Sequence, residues 1–355
     1  MGPVSSSTTL PTRAWCTAVA LLGVAAALRV ADPRIRQRPA PRPMLPRSAL
    51  RDAPLVPRRS SKTTTTTTMA LVESAVPTAV AVNTAAAALG IAAKQKVLTP
   101  AGLAHGWFLG VILWSSFLGW RGYATCVLYL VLGSAVTKVR QRQKEAEGIA
   151  EKRGGARGPE NVWGSALTAA LCALAGTAIP ALASAAWRET LAVAFVASLA
   201  TKLADTTQSE IGKAYGRRTY LSTTFEPVPR GTEGAVSMEG TLAGFVASVA
   251  ITGFAAAVGL LEWASPALVV CVFAAFVATT AESVLGATLQ GRVPWLTNEF
   301  VNVINTLIGA VVAGVLWRNW AAVPGGAAVL VGAMLAPVVA AAVRSVVESS
   351  SENTS

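Results

Sequence analysis

The chain has 355 residues, of which 53% are hydrophobic and only 14% charged, with a mean hydropathy of +0.51. Soluble domains carry about 25% charged residues, so this composition excludes an ordinary water-soluble enzyme and describes a multispanning membrane protein. The formal net charge is +12, but residues 1–68 hold 11 basic and 2 acidic side chains, so the remainder carries only +3 and no nucleic-acid partner is expected.

In chain order, residues 1–68 are rich in Ser, Thr, Pro and Arg, contain no Glu and end in the Thr63–Thr68 run. Acid-poor, Arg- and Ser-rich composition predicts a disordered plastid transit peptide, cleaved near residue 68. The apolar run at 14–28 fits the signal-like part of a bipartite targeting peptide. Residues 69–346 form the predicted membrane domain, and 347–355 a polar disordered tail. Apolar runs near 71–93, 104–120, 122–138, 162–183, 187–204, 239–261, 266–288, 299–317 and 323–345 predict an all-α, polytopic protein with about 7–10 transmembrane helices and no soluble domain. If these spans alternate, one face (side A) receives 16 of the basic residues after Thr68, and the other (side B) only Arg121, Arg188 and Arg318. That bias supports the threading and turns side A toward the stroma of a plastid. Cys16, Cys126, Cys172 and Cys271 are scattered, which indicates neither disulfide framework nor zinc site. The single histidine, His105, excludes a His-rich metal centre and reads as an interfacial structural residue.

Three polar constellations fall on side A. Lys202, Asp205, Ser209 and Gly212 share one helical face at the end of the fifth span, with Glu210 and Lys213 beside it. A carboxylate inside a membrane helix is costly and points to function. The loop from Gly216 to Gly240 then presents Arg217, Arg218, Arg230, Gly231, Thr232, Glu233 and Gly234. Glycines allow close backbone approach, and planar guanidinium groups suit phosphate oxygens. Finally, Glu282, Gly286 and Gln290 recur at helical spacing, followed by the stripe Asn298, Asn302, Asn305 and Gly309 with Glu299 adjoining. Asp205, Glu210, Glu282 and Glu299 form a candidate hard-oxygen site for Mg²⁺, with Asp205, Glu210 and Lys202 as the candidate catalytic set. Phosphate and nucleotide contacts are expected from Arg217, Arg218 and Arg230 to Gly234 and from the loop Lys138 to Arg157. Ser209, Gln290, Asn298, Asn302 and Asn305 are the expected substrate-side stripes. The chain contains neither a GxxxxGK[ST] phosphate loop nor a protein-kinase motif set.

The run KLADTTQSEIGKAYGRRTYLSTTFEPVPRGTEGAVSMEGTLAG, with ESVLGATLQ, NEFVNVINTLIGA, KVLTPAGLAHGWFLG and RGPENVWGSA, closely resembles the plant phytyl-phosphate kinases of the transmembrane-protein-nineteen-like family. The likeness extends from about Lys94 to the last span and excludes residues 1–68. It implies a plastid membrane enzyme, most naturally of the envelope, that converts phytyl phosphate to phytyl diphosphate at the expense of a nucleoside triphosphate such as CTP. The implied role is phytol salvage for tocopherol synthesis. The chain departs from the plant pattern at Ala204, where plant members have Gly, and at Glu299, where they have Asp; the acid is kept. The residues alone leave open another membrane enzyme of lipid heads, a cytidylyltransferase or phosphatase, and a transporter with polar stripes along its route.

Overall fold

The computed structural model describes residues 61–334, apart from residue 324 and the side chains of 61–74. Most of the expected targeting segment, Arg344 and the tail 347–355 therefore lie outside the described residues. The long helices are α1 (Ser61–Ala92), α2 (Pro100–Ser115), α3 (Gly119–Thr137), α5 (Pro159–Ala178), α6 (Ala185–Tyr215), α7 (Met238–Ala257), α8 (Ala267–Thr288) and α9 (Asn298–Arg318). A short α4 (Gln141–Ala146) sits in the loop after α3. Residues 326–334 are again helical, where the ninth span is expected.

The first eight predicted spans each correspond to one long helix, with shifted ends. Helix α1 begins at Ser61, inside the segment read as a leader. Helix α5 stops at Ala178 rather than 183 because Pro180 cannot continue it; a single 3-10 turn, Pro180–Leu182, follows. Helix α6 runs 31 residues, 11 beyond the predicted end of the span. That is about 46 Å of helix against a hydrocarbon core of about 30 Å, so its last three turns stand out of the bilayer on side A.

Among the described residues, four helices are long and apolar enough to cross a membrane on composition alone: Ala75–Ala92 of α1, α7, α8 and α9. Helix α6 does not meet that standard because of its charged and hydroxyl side chains, and protein rather than lipid shields it. Its neighbours are α3, α5, α7, α8 and α9, and Val193, Phe195, Val196 and Leu199 are completely buried. A central helix of this kind can carry Lys202 and Asp205 where a lipid-facing one cannot.

The loops confirm the alternation. On side A, Leu98 bridges to Arg157, Arg140 donates to the Ala214 carbonyl and Arg230 pairs with Glu147. On side B, Thr177 accepts from the Phe117 amide, Arg188 donates to the Gly176 carbonyl and Arg318 stacks on Trp187. Among the described residues, the addition to an all-helical reading is a hairpin on side A. Its strands β1 (Thr219–Leu221) and β2 (Ala235–Ser237) pair antiparallel with Tyr220 opposite Val236. Its other edge is extended by 226–228, where Val228 donates to the Thr219 carbonyl at 3.0 Å.

Close packing of α6 on α9 requires a glycine. A Cβ on Gly309 would lie 2.1 Å from Thr201 Oγ1. Gly309→Val is expected to cost about 1–3 kcal/mol by overpacking. The loss should be largely recovered in the Gly309→Val, Thr201→Ala double variant, as read by thermal melting in detergent.

Candidate active site

The side A ends of α5, α6, α8 and α9, the loop 150–157 and the hairpin enclose a cavity of about 600 Å³. Helix α6 delivers Lys202 to its floor. The Lys202 Nζ donates to Asp205 Oδ2 at 2.5 Å, one turn along the same helix, and to Asn302 Oδ1 at 2.8 Å on α9. Counting from Arg188 at the side B end, Lys202 sits about 21 Å along the helix, within the last third of the hydrocarbon thickness on side A. Glu282 on α8 joins this cluster, within electrostatic reach of Asp205, Lys202 and Glu233. The hairpin brings Glu233 there because Gly234, with φ at +72°, presses its backbone against α8, where a Cβ would lie 2.3 Å from the Ala287 amide nitrogen. Ser222 Oγ donates to the Ser283 carbonyl and fastens the same segment.

A second cation arrives from the loop before α5. Arg157 donates to the Tyr129 hydroxyl, with its guanidinium 5.3 Å from that ring's centroid. Its backbone is fixed by hydrogen bonds to Val97 and Thr99. Tyr129 also lies within electrostatic reach of Lys202, so the two cations flank one buried phenol. At the rim, Arg153 pairs with Glu160 and donates to Asn161 Oδ1 at 2.8 Å. The Arg153 hydrogen bond, with the backbone amide of Glu160 itself, holds the Glu160 carboxyl below the usual carboxylate range.

Of the residues singled out from the sequence, Lys202, Asp205, Ser209, Glu233, Glu282, Asn298, Glu299 and Asn302 line this cavity together, as do Arg157, Gly231, Thr232 and Gly234. Others are placed elsewhere. Glu210 is 1% exposed and faces away from the cavity, paired with Lys144 of α4. The same Lys144 Nζ caps the end of α3 by donating to the Thr137 carbonyl at 2.8 Å, and Lys213 lies 3.7 Å from Glu210 Oε1. A carboxylate so engaged is not available as a metal ligand or a base. The expected four-acid metal set is therefore not assembled, and among the described residues no three His, Cys, Asp or Glu side chains converge as a preformed metal cluster.

The arginines divide as well. Arg217, Arg218 and Arg230 line a separate cleft of about 510 Å³ formed with Tyr220 and the 227–229 edge of the hairpin. Arg230 is bound there by both Glu147 carboxylate oxygens, at 2.8 and 2.9 Å. Lys138 is exposed at the end of α3 and Gln290 lies past the end of α8; neither lines the cavity. Asn305 sits one turn below Asn302, fully buried, with no protein partner for either amide atom. Conversely, no local pattern singles out Tyr129, and Lys144 lies in the basic loop expected to contact phosphate but pairs with Glu210 instead; Asn161, Ser165 and Lys213 complete the wall.

The donor set fits a divalent cation held in part by ligand. Asp205 and Glu282 bring two hard carboxylates to one wall with Lys202 as the nearest cation, and Mg²⁺ is commonly bound by one or two carboxylates plus substrate phosphates. Below the cavity, α6 contributes the fully buried Val193, Phe195, Val196 and Leu199, while Asn305 and Thr306 of α9 carry polar groups into the same packing.

The buried Lys144 and Glu210 pair organises the side A ends of α3 and α6. Removing one partner strands a charge, so Lys144→Met is expected to destabilise the protein by about 3–5 kcal/mol. The Lys144→Met, Glu210→Leu double variant should regain most of the lost melting temperature.

The description Integral membrane protein DUF92 matches residues 83–310, which include the whole cavity lining. An uncharacterized membrane protein of Synechocystis sp. is 57% identical over 66% of this chain and 88% of its own length. Protein VTE6, chloroplastic, of Arabidopsis thaliana is 44% identical over 71% of this chain and 77% of its own. An uncharacterized membrane protein of Methanocaldococcus jannaschii is 31% identical over 63% of this chain and 87% of its own. No solved structure matches the chain. By the extent of these matches, the chain belongs to the DUF92 family of integral membrane proteins.

Proposed function

We propose that this protein is a membrane kinase that transfers the terminal phosphoryl group of a nucleoside triphosphate to phytyl phosphate, forming phytyl diphosphate for tocopherol synthesis in a plastid envelope. The observation that carries the reading is the convergence of Lys202 and Arg157 with the Asp205 and Glu282 carboxylates in one polar cavity at the side A interface. Similarity to the chloroplastic protein of Arabidopsis supports the plastid setting. In the reaction, an oxygen of the acceptor monophosphate attacks the terminal phosphorus of the donor. The bond to the bridging oxygen breaks, and the nucleoside diphosphate leaves.

Such transfer needs positioning and charge stabilisation more than covalent chemistry from the protein. Lys202 is held by Asp205 and Asn302 so that its charge stays fixed beside the incoming phosphates. Arg157 brings a planar donor fork to the same wall, oriented by Tyr129. A bound Mg²⁺ would neutralise phosphate oxygens, with Asp205 and Glu282 as its protein ligands. CTP is the donor favoured by the resemblance of the central motif to phytyl-phosphate kinases.

Purified full-length protein in detergent, given phytyl phosphate, Mg²⁺ and each of the four nucleoside triphosphates in turn, is expected to form the diphosphate with CTP best. Product with no donor would overturn the reading, as would free phosphate or a CDP-linked lipid as the main product. Glu282→Gln should lower kcat by about 10²-fold or more while the melting temperature holds. Asp205→Asn should do the same, with some loss of stability because Lys202 loses its carboxylate.

A further inference from the structure

Among the described residues, the cavity wall contains no leucine, isoleucine, methionine, phenylalanine, tyrosine or tryptophan; its aliphatic surface is Ala150, Ala156, Ala235 and Val236. Sites that enclose an apolar ligand are lined mainly by hydrophobic and aromatic side chains. A long hydrocarbon tail folded into this cavity would lie against Lys202, Asp205 and Asn302 and strip them of polar partners, which is costly. Among the described residues, the helices beneath the cavity bury Phe195 and Leu199 completely. The cavity also meets the bilayer boundary. Thr297, Asn298 and Glu299 line it from the first turn of α9, while the next residue, Phe300, is 46% exposed and packs edge-on against exposed Trp295 at 5.4 Å. Exposed aromatic pairs of this kind mark the membrane–water interface.

Resting on the kinase reading, we infer that the site binds the phosphate head of isoprenyl monophosphates and leaves the tail in the lipid, so that it does not discriminate among isoprenoid chains. Its selectivity lies in the head. A pocket that encloses a tail can separate substrates by roughly 10–200-fold per methylene, but among the described residues the cavity offers no such apolar enclosure. A site built around charged partners for a phosphate instead rejects an analogue that lacks it by about 10⁴-fold.

The test compares phytyl phosphate, geranylgeranyl phosphate of equal length but more double bonds, shorter farnesyl phosphate, and phytol. Each is presented to the full-length protein at the same mole fraction in detergent micelles, with Mg²⁺ and the best donor. The three monophosphates are expected to show kcat/KM within about fivefold of one another, and phytol to be turned over about 10⁴-fold more slowly. A preference above about tenfold for one chain would overturn this inference and leave the kinase reading standing. Turnover of phytol at a rate similar to its phosphate would also overturn it, and turnover of none of the four would overturn both.

Discussion

A lysine ammonium held within the hydrocarbon thickness is the constraint around which this protein is arranged. Lys202 is tolerable there only because Asp205 supplies a counter-charge from its own helix and Asn302 an acceptor from α9. The Asn302 bond crosses from α6 to α9 and ties their register, and the Gly309 contact with Thr201 closes the seam below it. Helix α6 is too polar to cross a membrane alone, and the five long helices around it keep lipid away from its charges. The centre of the fold and the floor of the cavity are thus the same few residues.

The extramembrane parts of side A are held by ion pairs rather than by a core of their own. Lys144 ties α4 to both α3 and α6, Arg230 ties the hairpin to Glu147, and Arg140 packs on Tyr215 while donating to the last turn of α6. The hairpin takes its place as a wall of the cavity because Gly234 and Ser222 contact α8 directly. With cations and acids both present on the lining, the cavity suits a metal-bound polyphosphate better than either a free cation or a free anion.

The threading and its one-sided chemistry were legible in the sequence because hydropathy and the Lys and Arg bias are properties of local segments. Helical spacing likewise placed Lys202, Asp205 and Ser209 on one face and aligned Asn298 with Asn302. Spacing failed where a distant partner decided the outcome. Glu210 sits inside the central run but is captured by Lys144, 66 residues earlier, in a basic loop whose pairing with α6 no local spacing reveals. Tyr129 lies in an apolar run where an aromatic reads as lipid-facing, and only the fold brings Arg157 to its hydroxyl. The arginines divide between two clefts because β1 intervenes, and that separation depends on hairpin register rather than on composition.

The central claim is that both phosphate-bearing substrates meet at Lys202, Arg157, Asp205 and Glu282. A cryo-electron microscopy map of the protein in lipid nanodiscs with Mg²⁺ and a non-hydrolysable nucleoside triphosphate tests it most directly. The account predicts phosphate density between Arg157 and Lys202, with metal density touching Asp205 and Glu282. Nucleotide density confined to the Arg217 and Arg218 cleft, with the main cavity empty, would contradict it.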